Sequence, residues 1–235
     1  LARMLLGLGS PLFFTVSLGF IVQLFDSHRS GGALGLFKSL QNIAAIIGSL
    51  ASGYIISFIG FRRGFFFSSI LVFAALLLLV VPSTIRGYSV DTGGDGFSPS
   101  SLRVIFRNRN ILILCSASLA IFIMSSGIEL TIFPIYAHEE LTFSYPQIGI
   151  FMGARSLGFV LSLVTMGTLS DRVGRRPVML FGLASSAFLA FTLNYAKSFH
   201  IVAGIFFLIG VSIGAFWIIA PIIAAESLNP SLRGI

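Results

Sequence analysis

The chain has 235 residues, of which 56% are hydrophobic and only 10% charged. Its mean hydropathy of +0.99 excludes a soluble globular domain. A net charge of +7 would suggest nucleic acid in a soluble protein, but here the arginines gather at the ends of apolar runs and report membrane topology, so no nucleic-acid partner is expected.

Seven apolar blocks follow in chain order, each close to the ~20 residues a helix needs to cross the hydrocarbon of a lipid bilayer. They run Leu1 to Phe25, Gly31 to Phe58, Gly64 to Pro82, Asn110 to Tyr136, Gln147 to Leu169, Pro177 to Asn194 and Phe199 to Ala225. The first lacks a basic start and a small-residue cleavage site, so it reads as a span and not as a signal peptide. Connections on one side carry Arg29, then Arg86, Arg103, Arg107 and Arg109, then Arg172, Arg175 and Arg176, and last Arg233. The other side holds Arg62, Arg63 and Lys197 with the acidic pair Glu139 and Glu140. The first set is expected in the cytoplasm, which starts the chain outside and ends it inside. The single cysteine, Cys115, lies in a span and allows no intramolecular disulfide.

Between the third and fourth spans, residues 83–110 include RGYSVDTGGDGFSPSS, rich in Gly, Ser and Asp. This stretch reads as a flexible cytoplasmic linker between a helical part at 1–82 and another at 111–235. The chain opens on LARMLLGLGSP, already inside an apolar run and without an initiator Met. Further helices are therefore expected beyond both ends.

Charge concentrates in GTLSDRVGRRPVML, residues 167–180, where two spans must turn sharply at the membrane surface. Gly174 is expected to take the left-handed conformation that closes a helix, and Pro177 suits the first turn of the next. Arg175 and Arg176 serve as cytoplasmic anchors. Asp171 does not fit a merely basic loop, because an acid at a helix C-terminus faces the negative end of the dipole. It calls for a partner: Arg172, Arg175 or the N-terminus of another helix, which Gly167 would let approach closely.

The run Gly167, Leu169, Asp171, Arg172, Gly174, Arg175, Arg176 resembles the signature loop of the major facilitator superfamily, in the copy between its eighth and ninth helices. Other stretches agree in register. RMLLGLGS, with Arg3, resembles the family's fourth-helix motif; GFRRGFF resembles the outer turn between helices five and six; AAESLNPSLRG, with Glu226 and Arg233, resembles the acidic-then-basic charge pair after helix ten. GSLASG, with Gly48 and Gly53, resembles the antiporter motif of helix five, except that Ser49 stands where that motif has proline. The resemblance implies an all-α polytopic membrane bundle whose seven spans are helices four to ten of a twelve-helix transporter. It also implies two halves rocking about a midplane site, with the signature loop as a latch of the outward-facing state. RMLLGLGSPLF and FFLIGVSIGAF, which open the first and last spans with similarly placed glycines, are a weak internal echo of that repeat.

Intramembrane charges mark candidate sites, since such side chains usually face a bundle interior or an aqueous cavity. Arg3, Lys38, Glu129 and Arg155 fall in the first, second, fourth and fifth spans, and the third and sixth have none. Lys38 lies near the cytoplasmic boundary, where it contacts solute or simply snorkels. Family resemblance implies a buried coupling role for Arg3. Gln41 and Asn42 are candidates for solute contact or helix–helix bonding, and Trp217 for lining the cavity or packing. Glu129 and Arg155 each lie about two turns, ~10 Å, inside antiparallel neighbouring spans, so mutual pairing is the expected way to hold both. A tight pair makes Glu129 structural or substrate-displaced; a separated one makes it a proton carrier. A coupling function is the expectation.

GVSIG, residues 210–214, matches a hydrolase nucleophile elbow but sits inside an apolar helix, where Gly210 and Gly214 read better as a close helix contact. No catalytic residue, metal cluster or cofactor is expected. The resulting expectation is a multi-pass protein of the plasma (inner) membrane, moving a small-molecule solute by alternating access with protons as coupling partner and the lipid bilayer as surroundings. The alternatives are a facilitator or symporter for a sugar or organic acid and, outside transport, a seven-helix receptor. Against the receptor, the last span has no lysine for a retinal Schiff base.

Overall fold

A computed structural model describes residues 30–80 and 109–227 of the chain. The expected first span and the bulk of the expected linker, with Arg3 and Arg233, lie outside the described residues. The chain divides into two compact units, residues 1–47 and 48–235. In the first, the described residues are helical from Ser30 onward.

Helix α1, Ser30–Val80, is two helices merged across a kink at Gly60, whose φ of 76° and ψ of 167° are non-helical. Fifty-one residues of unbroken helix would be about 77 Å long, more than twice the hydrocarbon thickness. Glycine supplies the break because a Cβ disfavours that positive φ. The kink falls at the start of the stretch GFRRGFF, between the two blocks expected as separate spans.

Helix α2, Arg109–Phe122, runs without a gap into a π-helical segment, Ile123–Ile132, and then α3, Phe133–Glu139. Pro134 explains the widening. It has no N–H to donate, and its ring crowds the carbonyl four residues back, so the preceding turns open. At this junction the Phe133 N–H reaches the Ile128 carbonyl, five residues back, and the Thr131 hydroxyl donates to the Ser126 carbonyl at 2.8 Å.

Residues 140–144 close a short loop. Phe143 N–H donates to the Ala137 carbonyl at 2.9 Å. The Ser144 N–H donates to the Gln147 Oε1 at 2.8 Å, fixing the start of α4, Tyr145–Val173. Helix α4 is bent by 43° between Tyr145–Leu163 and Thr165–Val173. Gly174 alone then separates it from α5, Arg175–Thr192. Its φ is positive as expected, at 101°, but its ψ of 151° is extended and not left-handed helical. After a short 3₁₀ turn, Leu193–Tyr195, comes α6, Phe199–Ser227.

The packing centres on α4 and α6. A Cβ on Gly158 would collide with the Phe207 carbonyl, and one on Gly210 with the Arg155 carbonyl; Gly214 lies against Ser162 and the Phe159 carbonyl. Small residues allow this approach, and in lipid it is close van der Waals contact that joins helices. Gly210 and Gly214 therefore make the helix contact expected of them. Ser212 lies within α6 and donates to the Leu208 carbonyl at 2.9 Å, so no exposed elbow forms. Phe133, Phe151, Phe206 and Phe216 fill the core around that contact. Helix α5 docks on α6 through Gly182, close to the Ser212 carbonyl.

Among the described residues four helices are long and apolar enough to cross a membrane: Ser39–Leu77, Leu112–Glu139, Arg175–Tyr195 and Phe199–Ala220; the bent α4 is a fifth. The α6 stretch is 56% buried and the α1 stretch 6% among the described residues, which makes α6 the axis of the packing.

Candidate functional site

Glu129 and Arg155 come together. Glu129 sits in the π-helical segment with its side chain fully buried, and Arg155 reaches it from α4. Arg155 Nε donates to Glu129 Oε2 at 2.6 Å, and its Nη2 donates to the Ser125 Oγ at 2.5 Å. Ser125 stands four residues before Glu129, on the same side of the helix. A charge this deep is costly alone, and a hydrogen-bonded partner offsets the penalty.

The pairing is asymmetric. Glu129 Oε1 is buried with no hydrogen-bond partner among the described residues, while the Arg155 side chain keeps 16% exposure. The acid is thus enclosed behind the guanidinium, and Arg155 is the member of the pair that another molecule can touch. Backbone geometry locks its position, because the Arg155 carbonyl is where Gly210 of α6 approaches.

Trp217 on α6 is 39% exposed and meets Phe122 of α2 edge to face at 5.3 Å. Gln41 and Asn42 are half-buried on α1 in the first compact unit. Lys38 and Glu226 fall on helices, but their side chains lie outside the described residues.

The loop from Gly167 to Arg176 forms the C-terminal end of α4 and the start of α5. Asp171, Arg172 and Arg176 are exposed there, with Gly174 and Arg175 half-buried. Asp171 has no ion-pair partner among the described residues, and no atom within 4 Å would meet a Cβ at Gly167. The helix that Gly167 was expected to admit is not among the described residues.

Two features escaped the sequence reading. One is Ser125, whose signal was the small, polar Ser125-Ser126-Gly127 inside an otherwise apolar span, a few residues before a proline. The other is a groove of about 420 Å³ between α1, α3 and α4, with Ser52, His138, Glu139 and Tyr145 among its lining. Among the described residues no group of three or more His, Cys, Asp and Glu could hold a metal ion.

A family model described as Major Facilitator Superfamily matches residues 1–234. The chain is 20% identical to the multidrug resistance protein MdtG of Proteus mirabilis over 210 residues, 88% of this chain and 52% of that protein. It is 25% identical to MdtG of Dickeya zeae over 194 residues, 80% of this chain and 47% of the relative. With the sugar transporter ERD6-like 8 of Arabidopsis thaliana it shares 32% identity over 96 residues, 41% of this chain and 20% of the other. The chain thus spans about half the length, or less, of these relatives.

Proposed function

The chain belongs to the Major Facilitator Superfamily, and from that premise we propose that the protein carrying it moves a small solute by alternating access, with proton uptake at Glu129 as the coupled event. It is an all-helical, multi-pass integral membrane protein. Its place in a bacterial cell would be the plasma membrane. The proposed halves are residues 1–82 and 111–235, joined through 83–110, with the solute site between them near the midplane.

The pair is tight, at 2.6 Å, which by itself favours the structural or substrate-displaced role; what supports the coupling role instead is the half-satisfied carboxylate. Oε2 is held by Arg155, whereas buried Oε1 has no partner among the described residues. A proton can therefore be taken up on Oε1 without first breaking the Arg155 bond. Once Glu129 is neutral, the attraction that holds the guanidinium weakens, and Arg155, still bonded to Ser125, is free to turn toward solute. One proton thus changes the charge presented to the path, which is the element a coupled cycle requires.

The loop from Gly167 to Arg176 acts as the conformational latch, with Asp171 docking on a positive group elsewhere in the protein. The relatives named as multidrug resistance proteins support an apolar or amphiphilic solute, in keeping with the half-exposed Trp217 beside Phe122. A sugar is the second reading, favoured by the match to a sugar transporter. The test is flux of a solute panel into proteoliposomes containing the full-length protein, with and without an imposed pH gradient. Uptake that responds to the gradient is expected. A receptor would give no flux with any solute.

A further inference from the structure

The groove between α1, α3 and α4 lies apart from the ion pair, and its chemistry is one-sided. Ile56, Ile135, Ile148 and Met152 make it largely apolar, and about 420 Å³ lies within the usual range of small-molecule sites. The polar groups along it present acceptors. Glu139 brings a carboxylate. The Ser52 hydroxyl donates its proton to the Ser49 carbonyl at 2.9 Å, which leaves its lone pairs outward. His138 Nδ1 lies 3.0 Å from the Phe143 carbonyl. A carbonyl only accepts, so Nδ1 carries the hydrogen and Nε2 of the neutral ring is an acceptor.

Aromatic faces complete the wall. His138 stacks on Tyr145 with centroids 4.3 Å apart, and Phe61 meets Tyr145 edge to face at 5.1 Å. Among the described residues no lysine or arginine lines the groove; Arg62 and Arg63, which follow Phe61, are not among its lining residues. An acid, lone-pair acceptors and π faces around an apolar hollow match an organic cation with an apolar body, and disfavour an anion of the same shape.

The groove also has a direction. Tyr145, Ile148, Met152 and Arg155 recur at helical spacing along one face of α4, and the first three line the groove. It therefore stops one turn short of Arg155. Glu139 at one end and Glu129 in the ion pair are ten residues apart, about 15 Å along a helix.

We propose that this groove is a binding site for lipophilic organic cations, anchored by Glu139, and that it is the solute's stop before the Glu129–Arg155 pair. The second half rests on the transporter reading; the binding site itself does not. The measurement is equilibrium binding to the full-length protein in lipid nanodiscs, without any gradient, of tetraphenylphosphonium and of tetraphenylborate, which share a shape and differ in charge. Phosphonium should bind, and borate should bind on the order of tenfold more weakly or worse. Glu139→Gln should weaken phosphonium by a similar factor and bring the two ions together. Ile135→Trp, which fills the groove from an exposed position, should weaken phosphonium as well. Glu140→Gln, next to the groove and outside its lining, should change neither ion by more than about twofold. Equal binding of the two ions, or phosphonium binding indifferent to Glu139→Gln and Ile135→Trp, overturns the site. Proton-driven flux of another solute with no phosphonium binding removes the groove alone. Phosphonium binding with the pattern above but no flux of any solute supports the groove and removes the transporter reading.

Discussion

In its N-terminal half α4 sets the partly exposed Arg155 against the buried Glu129 at 2.6 Å, with Ser125 as a second acceptor. At its C-terminal end the same helix leaves Asp171 and Arg172 exposed, and Arg176 follows just beyond the break at Gly174. The two regions hold the same residue types under opposite conditions. Deep in a span, an ionised group must find its partner within the neighbouring helices, so the pair is built into the fold and its geometry is visible in this chain. Exposed charges are solvated by water, so they need no partner built into the fold. Buried charge is therefore the place to look for coupling chemistry, and surface charge the place to look for a switch between states.

The largest effect is expected where the buried pair is broken from one side. Arg155→Met leaves Glu129 enclosed without its cation, a change that typically costs about 3–5 kcal/mol. Heat-induced loss of monodisperse protein in detergent should show it. The double variant Arg155→Met with Glu129→Leu should recover most of that stability, because no uncompensated charge remains. Equal instability of the single and double variants would mean that the pair matters for packing and not for charge.

Next in size is Gly210→Leu, which drives a side chain into the Arg155 carbonyl. Overpacking of this kind costs about 1–3 kcal/mol and should displace Arg155 as α4 and α6 separate, so solute flux should fall together with stability. Ser125→Ala removes one hydrogen bond from the guanidinium and should cost about 1 kcal/mol, with the ion pair kept. Asp171→Asn should barely move stability, within ~0.5 kcal/mol as for other exposed positions. It should instead alter the labelling of single cysteines placed on the two faces of the membrane. Unchanged accessibility on both faces would remove the latch and with it the contrast between the two ends of α4.

The sequence made parts of this arrangement readable and hid others for physical reasons. Glu129 and Arg155 could be paired in advance because charges are rare in apolar spans and the short connection sets them at matching depth. Gly210 and Gly214 were readable because spaced glycines in a membrane helix have few other uses. Ser125 was missed: its approach to Arg155 depends on the π-helical turns before Pro134, and such a register change has no simple periodic signature. The groove was missed because it joins residues of three elements, Ser52, His138 and Tyr145 among them, that are far apart in the chain. Gly174 was expected to have positive φ and does, but its extended ψ reflects the direct entry into α5, which local sequence does not dictate. The partner of Asp171 was called for by its place at a helix end, yet nothing in its own neighbourhood says where that partner lies.

The central claim is that Glu129 carries the coupled proton, and one comparison addresses it most directly. Full-length protein and its Glu129→Gln variant, reconstituted at equal density, would be assayed for solute accumulation driven by a pH gradient and for solute exchange without one. The account predicts that Glu129→Gln abolishes gradient-driven accumulation while exchange continues, because the path remains and only the proton site is lost. Accumulation retained in Glu129→Gln at the level of the unaltered protein would contradict it.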